Sequence, residues 1–113
     1  MQTKTAITSL AALAHDSRLA VFRLLVQAGP EGLAASKISE ALEIPPSSLS
    51  FHLKELSHAG LLTGTQDGRY IHYAANYDAM NGLIAFLTEN CCGGNPCTPV
   101  CTPACEDAKT SNR

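Results

Sequence analysis

The sequence predicts a mainly α-helical domain carrying one β-hairpin. Three observations predict it. Apolar residues recur at helical spacing through the first half of the chain, the period changes at "LLTGTQDGRYIHYAA", and helical spacing then returns. A chain of 113 residues is enough for one small domain and not for two. Its 45% hydrophobic and 16% charged content is a globular balance rather than a disordered one. The net charge of -2 offers no overall attraction to nucleic acid, so any DNA contact must come from local placement of residues.

The first helix runs to about Ala14, with Ile7, Leu10, Ala11 and Ala14 at helical spacing. The same segment, "TKTAITSLAALAHD", has the lysine, short apolar run and small-residue ending of a weak export signal. Thr8 and Ser9 interrupt the run, so a helix of a cytoplasmic protein is expected. Asp16 or Ser17 is expected to cap the second helix, "SRLAVFRLLVQAG". Its Leu19, Phe22, Leu25 and Val26 form one face, and Gly29 marks its exit. "GPEG" is a turn. Ser36 then caps a short third helix, "KISEAL", with Ile38, Ala41 and Leu42 inward. Pro45-Pro46 stops it, because a proline disfavours helix in the residue before it and suits the first turn of the next helix. The fourth helix begins there, "SSLSFHLKELSHAG". Leu49, Leu53 and Leu56 fall within about 60° of one another on a helical wheel. Ser47, Phe51, Lys54 and His58 take the opposite side, where Phe51 has no core to enter.

Asp67-Gly68 is a strong two-residue hairpin signal between β-branched and aromatic residues, with strands near 61–65 and 69–74. Asp78 lies in the first turn of a last helix in which Met80, Leu83, Ile84 and Leu87 keep the i, i+3, i+4, i+7 rhythm. Phe86 falls off that stripe, so the helix is apolar on two sides; one faces the domain and the other needs a second chain. A run of helices, a hairpin directly after the fourth and a closing helix make a winged helix-turn-helix, and the spare apolar faces make it homodimeric. One small reading helix covers only a few base pairs. Two copies about a two-fold axis read an inverted repeat, with half-sites about one turn or a multiple of it apart. Ile7, Leu10, Leu83, Ile84 and Leu87 are the candidate dimer interface.

The stretch "SEALEIPPSSLSFHLKELSHAGLLTGTQDGRYIHY" resembles the core of the ArsR family of metal-responsive repressors. That core typically has a short helix, a Ser/Pro break, a Ser-x-His-Leu-x-x-Leu recognition helix, "AGL" and a Gly-Arg hairpin. The resemblance covers about residues 5–90 and is specific over 39–73. It implies a dimeric repressor of double-stranded operator DNA. "TENCCGG" further resembles a subgroup of arsenic-responsive repressors whose thiols lie just after the last helix.

In a helix-turn-helix the first turns of the recognition helix enter the major groove. Ser47, Ser48 and Ser50 are then candidates to hydrogen-bond phosphates or base edges, and Lys54 to meet a phosphate. Phe51 gains a partner in a thymine methyl group. Arg69, at the hairpin tip, is a candidate for a neighbouring groove or backbone. His52 leans toward the core side, which leaves both a DNA contact and an internally hydrogen-bonded packing role open. Each serine taken singly is equally a solvated helix start or a cap. Lys37, Lys54 and Arg69 are offset by Glu40, Glu43, Glu55 and Asp67, so modest non-specific affinity and a shallow salt slope are expected.

All five cysteines lie in "ENCCGGNPCTPVCTPAC". Cys91 and Cys92 are expected to close the last helix, with Gly93-Gly94 as its left-handed stop. Helical neighbours point about 100° apart, so the pair converges only where the helix end frays. "GGNP" is turn-prone and brings Cys97 back over the pair. Three thiolates suit trivalent arsenic, a soft ion whose lone pair leaves a three-sided pyramid. The related subgroup uses an adjacent pair and a third cysteine a few residues on. As(III) or Sb(III) is therefore the expected effector. Pro99 and Pro103 keep Cys101 and Cys105 off a helix. In a polyproline-like chain they would stand about 12 Å apart. They read as spare or recruiting thiols, with Cys101 an alternative to Cys97 as third ligand. Zinc or cadmium competes for such a tail, since zinc takes four Cys or His ligands. Against it, the tail lacks a clean pair of C-x-x-C knuckles; the resemblance further implies that zinc-sensing relatives place Asp and His on the last helix and that another family site uses cysteines of the third helix, and here the last helix has no His and the third helix no Cys.

No phosphate loop, cofactor fingerprint or positioned nucleophilic cysteine is present, so neither an enzyme nor an organic cofactor is expected. No stretch approaches the ~20 apolar residues of a membrane span. Five thiols cannot all pair internally, and reduced thiols suit a cytoplasmic protein. The expected organisation is a DNA-binding and dimerisation domain over residues 1–90 and a flexible cysteine-rich tail over 91–113. The expected function is an arsenical-resistance repressor that leaves its operator when As(III) binds. The alternatives are a zinc- or cadmium-type thiolate sensor of the same fold and a heavy-metal-binding module without operator function.

Overall fold

The computed structural model describes residues 1–94. In chain order it contains α1 (Thr3–Leu13), α2 (Asp16–Ala28), β1 (Leu33–Ala34), α3 (Ala35–Leu42), α4 (Pro46–His58), β2 (Leu62–Asp67), β3 (Tyr70–Ala75) and α5 (Tyr77–Leu87). A 3₁₀ turn over Cys91–Gly94 follows. Among the described residues no helix is long and apolar enough to cross a membrane.

The core is a seam between α2 and α4. Val21, Phe22 and Leu25 meet Leu49, Leu53 and Leu56, with Ile38 of α3 and Leu61 and Leu62 closing it. The helical period of α4 thus buries the leucines expected from the sequence. On α2 the buried stripe centres on Val21 and Leu25, and Leu19 lies outside it, 44% exposed. Residues two apart on a helix point about 200° away from each other, so burying Val21 turns Leu19 outward. Ala41 is likewise exposed rather than inward.

The helix starts differ from expectation for local reasons. His15, rather than Asp16 or Ser17, is the N-cap residue of α2, its Nδ1 accepting the Ser17 N–H at 3.1 Å. Asp16 Oδ1 accepts the same N–H at 2.8 Å. No side chain caps α3, and Ser36 lies inside its first turn. The chain enters that helix directly from β1, whose two residues are too short to show an alternating pattern. Pro46 occupies the first turn of α4, where its missing N–H costs nothing.

The sheet has the order β1-β3-β2, antiparallel throughout. Leu62 pairs with Ala75 and the ladder runs to Asp67 opposite Tyr70. The two-residue loop is therefore Gly68-Arg69, one position later than expected, with Asp67 as the last paired residue. Only Gly68 of the two has a positive φ, 65°, as in hairpin turns with glycine first. Gly32, at φ 71°, lies so close to β3 that a Cβ there would sit 2.1 Å from the Tyr73 carbonyl oxygen.

Asn76 ties the wing to the last helix. Its N–H donates to the Leu61 carbonyl at 2.8 Å, its Nδ2 donates to the Gly60 carbonyl at 2.9 Å, and its Oδ1 accepts the Ala79 N–H at 3.2 Å as the cap of α5. Tyr77 Oη donates to the Val26 carbonyl at 3.0 Å, fixing α5 to α2. α5 ends at Leu87 and not at the cysteines. Thr88 Oγ1 turns back to the Ile84 carbonyl at 2.8 Å, and Asn90 takes a left-handed φ of 57°, which asparagine tolerates better than most residues. Cys91 and Cys92 thus belong to a separate turn, joined to the helix end by the Cys91 N–H donating to the Thr88 carbonyl at 3.0 Å.

Two substitutions test this packing in urea denaturation. Leu56→Ala should cost about 2–5 kcal/mol, because Leu56 is fully buried in the seam. Gly32→Ala should destabilise strongly through its clash with the Tyr73 backbone. Gly82→Ala, in the middle of α5 with only the Met1 side chain near, should be neutral or stabilise by up to about 1 kcal/mol.

Candidate nucleic-acid interface

Because the leucines of α4 are locked inward, Ser47, Ser48, Ser50, Phe51 and Lys54 are all exposed. Phe51, 54% exposed, is a large apolar side chain with one face toward solvent. The first intrahelical bond of α4 is the Leu49 N–H to the Pro45 carbonyl at 2.9 Å, and no side chain caps the helix. The N–H groups of Ser47 and Ser48 therefore point out of the helix start, a setting that favours an anion such as phosphate. Arg69 sits in the hairpin loop, exposed beside Tyr70.

His52 does not join them. It is only 9% exposed and faces α2. There its Nδ1 accepts the Arg18 Nε–H at 3.3 Å, and its ring lies 4.8 Å from that of His15. Of the two roles the sequence leaves open, its geometry is the packed, internally hydrogen-bonded one. Burial holds the His52 pKa below its ordinary 6.5. Electrostatic repulsion from the His15 and Arg18 side chains adds to that effect, and Asp16 opposes it. A neutral imidazole suits its role as hydrogen-bond acceptor toward Arg18. Arg18 and His15 were not singled out by sequence reasoning: no periodicity links residue 18 to residue 52.

The remaining candidates divide in the same way. Ile7, Leu10, Ile84 and Leu87 are exposed on α1 and α5, two helices that pack against each other. Leu83 is buried within its own domain instead. An apolar cavity of about 330 Å³ opens nearby, lined in part by Leu19, Phe22, Met80 and Ile84. Cys91 is half-buried and Cys92 exposed. Among the described residues no group of three or more His, Cys, Asp or Glu side chains gathers as a metal site. Cys97, Cys101 and Cys105 lie outside the described residues.

The His52 environment has a sign in pH. Its folded pKa is depressed, so the unfolded chain binds a proton before the folded one does. This contribution to stability is complete above the unfolded value near 6.5 and is lost as pH falls through it toward the folded pKa. Between about pH 8 and about pH 5.5 the unsubstituted protein should lose more thermal stability than His52→Gln. That variant keeps an acceptor for Arg18 and cannot titrate. Parallel melting curves at the two pH values check this.

The model of a helix-turn-helix domain family matches residues 13–65. The arsenical resistance operon repressor of Bacillus subtilis (strain 168) is 36% identical over 81 residues, 72% of this chain and 73% of that protein. Among solved structures, an ArsR-like transcriptional regulator from Rhodococcus sp. RHA1 aligns with a TM-score of 0.66 at 25% identity, over 74% of this chain and 76% of that one. A homodimeric winged helix-turn-helix DNA-binding domain from Mycobacterium bovis aligns at 0.62 over 81% of this chain and 85% of its own. At 21% identity it speaks to the fold alone. These relatives are regulators and not enzymes. With its reading helix, wing and closing helix in this arrangement, the chain is a winged helix-turn-helix protein and belongs to the ArsR family of transcriptional regulators.

Proposed function

We propose that the protein is an arsenite-responsive transcriptional repressor. A homodimer holds an inverted-repeat operator in the cytoplasm and releases it when As(III) or Sb(III) is bound by Cys91, Cys92 and a third thiol. Cys97 is the third ligand in this reading, with Cys101 the alternative and Cys105 dispensable. The observation that carries it is the adjacent pair Cys91-Cys92 placed directly after α5 by the Cys91 backbone N–H donating to the Thr88 carbonyl, on the helix whose Ile84 and Leu87 are exposed apolar side chains. The likeness to an arsenical resistance operon repressor supports the choice of effector. Residues 1–90 form the reading and dimerisation domain, and 91–113 form the effector tail.

The chemistry needs no oxidant or reductant. Three thiols displace the three hydroxyls of arsenous acid, three As–S bonds form, and three waters leave. Cys92 sits at φ 58°, a left-handed conformation that costs a non-glycine residue about 1–2 kcal/mol. Drawing Cys91 and Cys92 to one ion re-sets this turn. The change passes to α5 through the Cys91–Thr88 and Thr88–Ile84 hydrogen bonds. If α5 forms the contact between protomers, the two reading helices then shift relative to each other, and only one spacing fits the operator.

Fluorescence anisotropy on a labelled inverted-repeat duplex tests this. Cys91→Ser and Cys92→Ser should each bind the duplex normally and fail to release it on addition of arsenite, whereas Cys105→Ser should release it as the unsubstituted protein does. A variant with all five cysteines replaced that still releases DNA contradicts the thiol mechanism. A protein that binds arsenite but no duplex is instead a metalloid-binding module.

A further inference from the structure

We infer that Arg18 is a DNA-backbone contact, its guanidinium held beside the recognition helix by Phe51 and His52 and turned to a phosphodiester. The inference rests on the DNA-binding reading above and extends it to a residue of a different helix. Arg18 belongs to α2, yet its Cζ lies 5.5 Å from the centroid of the Phe51 ring on α4. Its Nε–H donates to His52 Nδ1 at 3.3 Å. One of its five N–H donors is used, and among the described residues no carboxylate pairs with the rest. Asp16, the nearest acid in sequence, is engaged with the Ser17 N–H at 2.8 Å.

An arginine tethered at one edge by a buried acceptor and stacked on one aromatic ring has little rotamer freedom left. The outer edge of its fork matches two oxygens of a phosphate, and no further ordering is needed to bind one. Its location fits this role: the guanidinium lies over Phe51, which is exposed on the same side of α4 as Ser47 and Lys54, and Arg18 also lines a shallow pocket with Glu55 and His58 of that helix. The recognition helix itself contributes one permanent cation, Lys54, and carries Glu55 next to it. A second fixed positive charge from α2 offsets that shortage.

His52 is a positioning residue in this scheme, acting through Arg18. Its imidazole must be neutral to accept the Nε–H, and its burial against α2 favours that form. His15 closes the other side, with its own Nδ1 occupied by the Ser17 N–H. The groups facing His52 are thus Arg18 and Asp16 of α2, its N-cap residue His15, and Phe51 of the same helix as His52.

The test compares Arg18→Gln and Arg18→Lys with the unsubstituted full chain, on an inverted-repeat duplex and a scrambled one, from roughly 50 to 300 mM salt. Arg18→Gln should weaken binding to both duplexes by a similar factor, about tenfold at the lower salts. It should also reduce the slope of log affinity against log salt by about two per dimer, one phosphate per protomer. Arg18→Lys should keep most of the slope while binding several-fold more weakly, because an ammonium lacks the fork. An unchanged slope in folded Arg18→Gln overturns the assignment, as does unchanged affinity in Arg18→Lys. Failure of the unsubstituted protein to bind any duplex overturns the DNA-binding reading itself, a different outcome from either.

Discussion

The rest of the molecule depends on the apolar seam between α2 and α4. Leu49, Leu53 and Leu56 pack against Val21, Phe22 and Leu25, and each leucine so buried contributes about 1.5–3 kcal/mol relative to exposure. The seam also sets orientation. A slip of one residue in α4 would rotate its faces by about 100°, drive Ser50 toward the core and expose leucine. The side chains available to read DNA are therefore those left over when the leucines are satisfied, and Pro46 fixes where that helix begins.

The same seam connects the two candidate ends of the regulatory path. At one flank of α4, the Arg18 Nε–H of α2 donates to His52 of α4. Just beyond the C-terminus of α4, Gly60 and Leu61 are held by Asn76, which also starts α5. Tyr77 then binds α5 to the last turn of α2. In the proposed mechanism a displacement of α5 reaches the base of α4 through this short set of hydrogen bonds. The thiols lie at the other end of the same helix, one turn of backbone past its last residue. In this account the effector and the DNA bias one element from its two ends, and α5 joins them without contacting either the groove or the wing tip.

How much of this was legible in the sequence follows from the range of each interaction. The leucine stripe, Phe51 facing out, the proline start and the hairpin all rest on periodicity or on a local turn, and they read correctly. The hairpin loop fell one residue late because Gly68, and not Asp67, must take the positive φ. His15 was missed as a cap because imidazole is an uncommon one. The Gly93-Gly94 pair reads as the stop of the last helix, which places Cys92 inside it. Thr88 and Asn90 had already ended it, one by bonding backward and the other by turning left-handed. Leu19 and Leu83 exchange expected places because an amphipathic stripe leaves its centre undetermined by a residue or two. The Arg18–His52 bond joins positions 34 apart in sequence and leaves no periodic signature. Ser47 and Lys54 are exposed as their spacing implied, and Ser48, Ser50 and Arg69 are exposed at the helix start and the hairpin loop.

The central claim is that metalloid and operator oppose each other through one shared quaternary equilibrium. The most direct measurement is the As(III) affinity of the full chain, by calorimetry or competition, with and without saturating inverted-repeat duplex. The account predicts weaker As(III) binding on DNA, by roughly 5–150-fold, with the same factor appearing in DNA affinity when arsenite is saturating. Equal As(III) affinities in the two conditions would contradict it.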